Sequence, residues 1–384
     1  MDEKKILQED IELSEVVLSK VNHAFEKISQ EETENMTDKN IINKHNKEAG
    51  SHRRRIKSQV AAAAVAVCLL AVGGMSAAAA IHHSWGRGMN GNIQATDTEQ
   101  QKLTDDGVAV VYPEKEDYET LKVTNNGVTI VPNTVIVDDQ FAYLSFTISG
   151  YEVAEGEEPS FEDVNITSDD MGIDMSGSMY DGIVSNEEGA PVYEDGSELQ
   201  FTDSGDIVSH YYDENGNLEY LIQAHIAEAG DTMLGKTVKV DFKNLGTYKT
   251  EFTDGVEGDW DFEITLPSVS SAKEFDVNKA IEGTDFTLTK IEISPVSLNA
   301  TYTTDNTAET SQNDLEVPCI QGMVLNDGSR LPYLTDGGSV GYSDDSKTEA
   351  YNIFGYDRVI DVDNVKALII SPKDGAETVE VDIE

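Results

Sequence analysis

Gln59–Ile81, QVAAAAVAVCLLAVGGMSAAAAI, holds no Asp, Glu, Lys, Arg or His. As a helix it runs about 34 Å at roughly 1.5 Å per residue, enough to cross a hydrocarbon core about 30 Å thick. A lone segment in lipid has to satisfy its own backbone polar groups, which only a helix does. Directly before it stands His52-Arg53-Arg54-Arg55-Ile56-Lys57. Short basic flanks stay on the cytoplasmic side. Arg53, Arg54, Arg55 and Lys57 therefore orient a single-pass protein of the cell membrane, with residues 1–58 inside and 82–384 outside. Trp85 is then expected at headgroup depth, where an amphipathic ring is favoured. Two other readings compete. A signal peptide would be cleaved at Ala78-Ala79-Ala80, but its apolar region is about 7–15 residues long and its leader short; here the span begins only at Gln59. A buried core helix would accommodate the weakly apolar alanines and Gly73-Gly74 but leaves the basic flank unexplained. The spacings Gly73-x-x-x-Ala77 and Gly74-x-x-x-Ala78 permit close helix approach, and so a homodimer through the span.

Charge divides unevenly across that span. Residues 1–58 carry 11 basic and 12 acidic side chains, and residues 82–384 carry 16 and 61, so almost all of the net −46 lies outside. Such a surface repels nucleic acid and anionic lipid and keeps the domain soluble. Of the two cysteines, Cys68 lies in the span and Cys319 far outside it. They cannot pair within one molecule, and a domain of this size can rely on its apolar core instead.

Inside, Leu13, Val17, Val21, Ala24 and Ile28 recur at helical spacing and form one face. Ser14 is placed to cap that helix, with Glu15 in its first turn; Leu13 and Leu18 can staple its start. A helix of about 16 residues is marginal alone in water, so the apolar stripe wants a partner in helix-in-groove fashion. The alternative is a short helix lying on the membrane or folding on itself. Residues 31–50 are polar and aperiodic and read as a tether.

Outside, residues 82–117 read as a Gly- and acid-rich juxtamembrane stalk. From Tyr118 strand signals take over. Asn125-Asn126-Gly127 marks a hairpin turn, and Phe141–Ile148 a core strand rich in aromatic and β-branched residues. Glu155–Asp163 reads as an acidic loop, Leu199–Phe201 as a short strand, and Tyr211–Ile226 as a hairpin. Thr237–Phe242 and Trp260–Leu266 alternate, and Pro267 ends the latter. A second unit starts near Ala272. Its strand Phe286–Ile293 breaks phase at Thr289-Lys290, as at a bulge, and about seven short strands with recurrent turn signals suggest an Ig-like sandwich. The expected fold is mainly β. Two antiparallel β domains (Ig-like sandwich, extracytoplasmic) at 118–268 and 272–384 follow one transmembrane helix at 59–81 and a short cytoplasmic helix within 1–58.

The order of parts resembles a family of single-pass bacterial membrane proteins with a juxtamembrane domain of unknown function and an Ig-like C-terminal domain, described as transmembrane anti-sigma factors. The residues that carry the resemblance are the basic run and span at 52–81, Thr124-Asn-Asn-Gly-Val-Thr-Ile130, the strand 141–148, Gly258-Asp-Trp-Asp-Phe262, Leu288-Thr-Lys-Ile-Glu-Ile-Ser-Pro295, and the helix Ile11–Ile28. The resemblance implies a cytoplasmic head that sequesters a sigma factor. This head lacks the zinc-binding His and Cys residues of the better-known anti-sigma type.

Catalytic patterns are weak. Asp174-x-Ser176-x-Ser178 has the spacing of a metal-dependent adhesion site but lacks the parallel strand and helix that such a site needs. Asp213-x-Asn215-x-Asn217 departs from a calcium loop, with Gly216 one place early and no twelfth-position Glu; a turn is the better reading. His82-His83 reads as interfacial rather than metal-binding, and His225 as structural. No nucleophile elbow, phosphate loop or His-Glu-x-x-His is read from the chain, and no cofactor is expected. The functional expectation is a non-enzymatic membrane signalling protein whose partners are the lipid bilayer and a cytoplasmic sigma factor. The rival is a structural or adhesive surface protein that contacts wall or host polymer.

Overall fold

The computed structural model describes residues 85–114, 118–154, 156–203, 205–227, 231–305, 317–343, 346–373 and 375–383. The predicted span, the basic run Arg53, Arg54, Arg55 and Lys57, and the stripe Leu13, Val17, Val21, Ala24 and Ile28 lie outside these residues. Among the described residues no helix is long and apolar enough to cross a membrane.

The chain opens with two helices, α1 (Arg87–Asn92) and α2 (Asp97–Asp105). The strands that follow are β1 (Ala109–Val111), β2 (Val123–Asn125), β3 (Val128–Val137), β4 (Phe141–Ser149), β5 (Glu158–Thr167), β6 (Ile173–Met179), β7 (Ile183–Ser185), β8 (Pro191–Tyr193), β9 (Leu218–Ile226), β10 (Thr237–Tyr248) and β11 (Phe252–Thr265). The remainder holds β12 (Lys273–Ala280), β13 (Phe286–Ile293), β14 (Ser297–Thr304), β15 (Cys319–Leu325), β16 (Arg330–Leu331), β17 (Thr335–Tyr342), β18 (Glu349–Tyr356), β19 (Val365–Ser371) and β20 (Val379–Asp382). The fold is mainly β and every sheet is antiparallel. One sheet runs β1-β3-β4-β9-β6, with β2 also on β3, and shares a core with β11-β10-β5. A second pair runs β12-β13-β14-β18-β17 and β16-β15-β19-β20.

Local chemistry explains the pairing. Asn126 and Gly127 both have positive φ, 47° and 89°, as a tight hairpin turn between β2 and β3 requires. Leu144, Phe146 and Ile148 face inward from β4, with Tyr220 and Ile222 from β9, onto Phe161, Phe242, Trp260 and Phe262 of the facing sheet. Phe146 and Phe242 meet edge to face with centroids 4.9 Å apart, a favoured aromatic geometry. The Trp260 indole N–H donates to the Val128 carbonyl at 3.2 Å. In the second pair, Leu288, Leu298, Tyr302 and Phe354 pack against Ile320, Met323, Leu368 and Ile370. The phase break in β13 is a register shift between Leu288 and Lys290.

Five sequence expectations are corrected. Within the expected stalk 82–117, the described residues 85–111 are packed rather than extended: Trp85, Met89, Ile93, Leu103, Val108, Ala109 and Val111 form a third apolar cluster, and β1 pairs with β3. Its glycines serve close packing rather than slack. Trp85 is fully buried in that cluster rather than set at a lipid interface; its ring lies against the protein's own apolar surface. Glu158–Thr167, half of it read as an acidic loop, is strand β5, whose Pro159, Phe161 and Ile166 face inward while its acids face water. Residues 211–226 form no hairpin, because β9 lies between β4 and β6, and Phe201 makes only an isolated bridge with Ile207.

Candidate functional site

The β4 sequence FAYLSFTIS buries Ala142, Leu144, Phe146 and Ile148 on one face and Phe141, Tyr143 and Ser145 on the other. The face away from the first core presents Phe141 and Tyr143, which join the third cluster with Ile136 of β3 and with Val296 and Ile353 of the second sheet pair. A register shift in β3 between Pro132 and Val135 re-aims Asn133 and Thr134, as bulges do. Thr134 Oγ1 donates to the Trp85 carbonyl at 2.9 Å, and its N–H reaches Ser145 Oγ at 3.1 Å. The segment 85–111 thus lies across this face.

Its first turn is Gly86-Arg87-Gly88-Met89-Asn90-Gly91. Each glycine has a separate steric reason. A Cβ on Gly86, where φ is +82°, would lie 2.4 Å from Asn133 Nδ2; one on Gly88 would lie 2.8 Å from the Glu219 carboxyl carbon; one on Gly91 would lie 2.2 Å from Tyr180 Oη. Into the space so cleared comes the Glu219 carboxylate, from β9. Gly88 N–H donates to Oε2 at 2.8 Å and Met89 N–H to Oε1 at 3.3 Å. Glu219 is only 9% exposed. Burial pushes its carboxyl up to about 7, against the pull of those two N–H donors, the Arg87 charge and the Ser145 hydroxyl. The Gly-x-Gly-x-x-Gly spacing usually suggests a dinucleotide loop. Here a protein carboxylate, that of Glu219, occupies the place a phosphate would take.

Arg87 clamps the other flank. Its Nε contacts both Glu194 oxygens, at 2.8 and 2.9 Å, and its terminal nitrogens donate to the carbonyls of His210 and Tyr211. Its guanidinium lies 4.8 Å from the Tyr180 ring centroid, a cation–π contact. Tyr180 Oη donates to Glu194 at 3.1 Å; burial holds its phenol well above the ordinary range. The insertion between β6 and β9 is thereby tied to α1, and Gln94 Nε2 adds a bond to the Ser185 carbonyl at 2.7 Å.

A second polar lock joins the two sheet pairs. Asp138, in the β3–β4 turn, is 1% exposed. It accepts from the N–H groups of Gln140 and Phe141 and from the hydroxyls of Ser294 and Ser297, in the β13–β14 turn. Burial still raises its carboxyl above the usual range. Tyr143 Oη donates to the Val296 carbonyl at 3.2 Å. Gln94 pairs in parallel with Arg358, exchanging backbone bonds with Asp357 and Val359. Residues 85–111 are therefore held by both sheet pairs at once.

Of the described residues singled out from sequence, the structure brings none into a reactive cluster. Asp174, Ser176 and Ser178 point outward from the edge strand β6. Asp213 closes a turn, accepting from the N–H groups of Asn215 and Asn217. The His225 ring lies against Phe141, tilted by 33° with centroids 5.6 Å apart. Among the described residues no group of three or more His, Cys, Asp or Glu is arranged to hold a metal ion. Sequence reading missed Glu219, Arg87 and the glycine turn. The Gly-x-Gly-x-x-Gly spacing was a visible signal; a lone Glu within an apolar strand was another.

No protein-family model and no curated protein matches this chain. A conserved domain protein from Bacillus anthracis, known from its crystal structure, is similar at 15% identity with a TM-score of 0.40. The similarity covers 66% of this chain and 78% of that one, and assigns neither fold nor activity.

Proposed function

We propose that the chain is a single-pass membrane signalling protein of the anti-sigma type, with an extracytoplasmic body of two Ig-like sandwiches and a cytoplasmic docking helix. One observation carries this reading. The segment that follows the apolar span in sequence is built into a core shared by both sheet pairs, through Trp85, Glu219 and Val296. Whatever binds or deforms the body acts on that segment. Signalling of this kind needs a differential interaction with two states; on this reading the second state is one in which the segment has left the shared core. Composition supports a cytoplasmic head without enzymatic chemistry, because residues 1–58 offer one amphipathic stripe and a polar tether.

The test is recovery of a sigma factor with the full-length chain from gently solubilised membranes. The parent is expected to enrich one sigma factor, and Val17→Asp with Val21→Asp to lower its recovery at least tenfold. No enrichment over an untagged control, or variants that behave as the parent, overturns the reading. A surface phenotype that survives deletion of residues 1–30 would favour the adhesive alternative instead.

A further inference from the structure

We propose that the insertion between β6 and β9 is a docking arm for a cationic polypeptide segment with apolar side chains, seated on Phe201 and Ile207. The arm spends its own packing elsewhere. Tyr193, 2% exposed, donates from Oη to the Val208 carbonyl at 2.7 Å, accepts from Gln200 N–H at 3.1 Å and stacks on His210 with centroids 4.3 Å apart. Beyond that contact the chain turns back on itself. Thr202 N–H donates to the Asp206 carbonyl at 2.8 Å, and Val208 N–H to the Gln200 carbonyl at 2.9 Å. Phe201 and Ile207 are antiparallel bridge partners between those two bonds, so their side chains share one face. That face is left to water: Phe201 is 61% exposed and Ile207 42%. Among the described residues seven large hydrophobic side chains are exposed, and three of them, Phe201, Ile207 and Tyr212, belong to this one insertion. Singly exposed apolar residues are ordinary; a directly paired Phe and Ile within a polar rim mark a contact surface.

Charge decides the occupant. Residues 180–217 carry ten Asp and Glu side chains, one His and no Lys or Arg. Arg87, the cation that reaches the arm from α1, is engaged by Glu194. Glu198, Asp203 and Asp206, all exposed, stand within a few positions of the apolar pair. A second copy of this chain brings the same net −46 and is repelled, as are nucleic acid and anionic lipid. An uncharged polymer could cover the pair but would gain nothing from the acids. Lys or Arg side chains complement the acids while adjoining apolar side chains cover Phe201 and Ile207, and a Phe face itself attracts a cation. The arm also leads into the body. Arg87 holds its base through Glu194 and the carbonyls of His210 and Tyr211, and Gln94 holds it through the Ser185 carbonyl. A load on the tip is thereby passed to residues 85–111. That docking is a signal rests on the signalling reading above; the docking itself does not.

The test uses the full chain in micelles of an uncharged detergent and two synthetic decapeptides, one of alternating Lys and Leu and one of alternating Lys and Ser. Binding is read by fluorescence anisotropy against empty micelles. The Lys/Leu peptide should bind about tenfold more tightly than the Lys/Ser peptide, the scale of partly burying one or two apolar side chains. Its affinity should fall about fivefold or more from about 0.05 to about 0.5 M NaCl, as screening shortens the reach of the acids. Phe201→Ser with Ile207→Ser leaves the charge unchanged and should remove the preference for Leu. Tyr248→Ser with Val340→Ser, two comparably exposed residues outside the insertion, should keep it. Survival of the preference in the first pair, its loss in the second, or an affinity indifferent to salt overturns the proposal. So does a dimer of the peptide-free chain that Phe201→Ser dissolves, which would seat a second copy there. A Lys/Leu peptide carrying one benzoylphenylalanine locates the site without any variant. Photolabelling of the parent should fall on residues 198–212, and labelling confined to other segments overturns the docking. A mapped complex with no sigma factor recovered refutes only the signalling reading, and a sigma factor recovered with no complex refutes only the docking.

Discussion

Replacing Trp85 by Ala separates a core residue from a lipid anchor. An indole buries about 200 Å², worth about 5 kcal/mol at ~25 cal/mol per Å². The ring is fully buried among Met89, Ile93, Ile136 and Val296, and β3, β4 and the second sheet pair are each fixed by their own hydrogen bonds, so collapse into the void is limited. Large-to-small changes of this kind cost about 3–5 kcal/mol. With a urea slope of about 2–3 kcal/mol per molar, the midpoint of the body should fall by about 1.5 M. The assay is direct: Trp260 is the only other tryptophan, so in the variant its fluorescence alone reports unfolding of the first sheet pair. Trp85→Phe keeps most of the apolar contact and removes an indole N–H that is buried without a partner among the described residues. It should lose less than half as much. A headgroup anchor would leave the urea midpoint unmoved. A shift below about 0.3 M for Trp85→Ala, under 1 kcal/mol at that slope, would refute the placement of this residue in a shared core.

Two further outcomes follow from the locks. Ser294→Ala with Ser297→Ala leaves the buried Asp138 carboxylate without its donors from the second sheet pair. Hydrogen bonds to charged groups contribute about 1.5–3 kcal/mol each, so calorimetry should resolve two transitions where the parent gives one. Gly91→Ala sets a methyl group on Tyr180 Oη; overpacking of this order costs about 1–3 kcal/mol, and exchange protection of residues 86–95 should fall with no change in the second sheet pair.

Much of the β architecture was legible, because its signals are local. The positive-φ pair at Asn126-Gly127 and the bulge after Leu288 are written in turn chemistry and side-chain period. Phe141–Ile148 was readable as core, though not what covers the face that carries Phe141 and Tyr143. What was hidden is long-range. Residues 86–105 look like a tether because glycine and acid dominate their composition, yet those glycines answer to Asn133, Glu219 and Tyr180, which no window of sequence contains. Thr96 and Glu99 form a reciprocal capping box at the start of α2, a signal that composition-based reading passed over. Glu219 was passed over because one acid among 73 Asp and Glu residues carries no information until its burial is known. The docking stripe and the membrane span expected from the sequence fall outside the described residues.

Synthesis proceeds amino end first, and this gives the bed of Trp85 a temporal meaning. Val296, Ile353 and the Asp357–Val359 backbone close over the segment 85–111, yet they leave the ribosome more than about 200 residues later, a contact of the slowest topological class. The nascent chain can set Trp85, Met89 and Ile93 against β3 and β4 early, but the side that Val296 and Ile353 cover stays open until most of the polypeptide has been made. Chaperones have their longest opportunity at that stretch, and carboxy-terminal truncations should accumulate as aggregates rather than as shorter folded proteins.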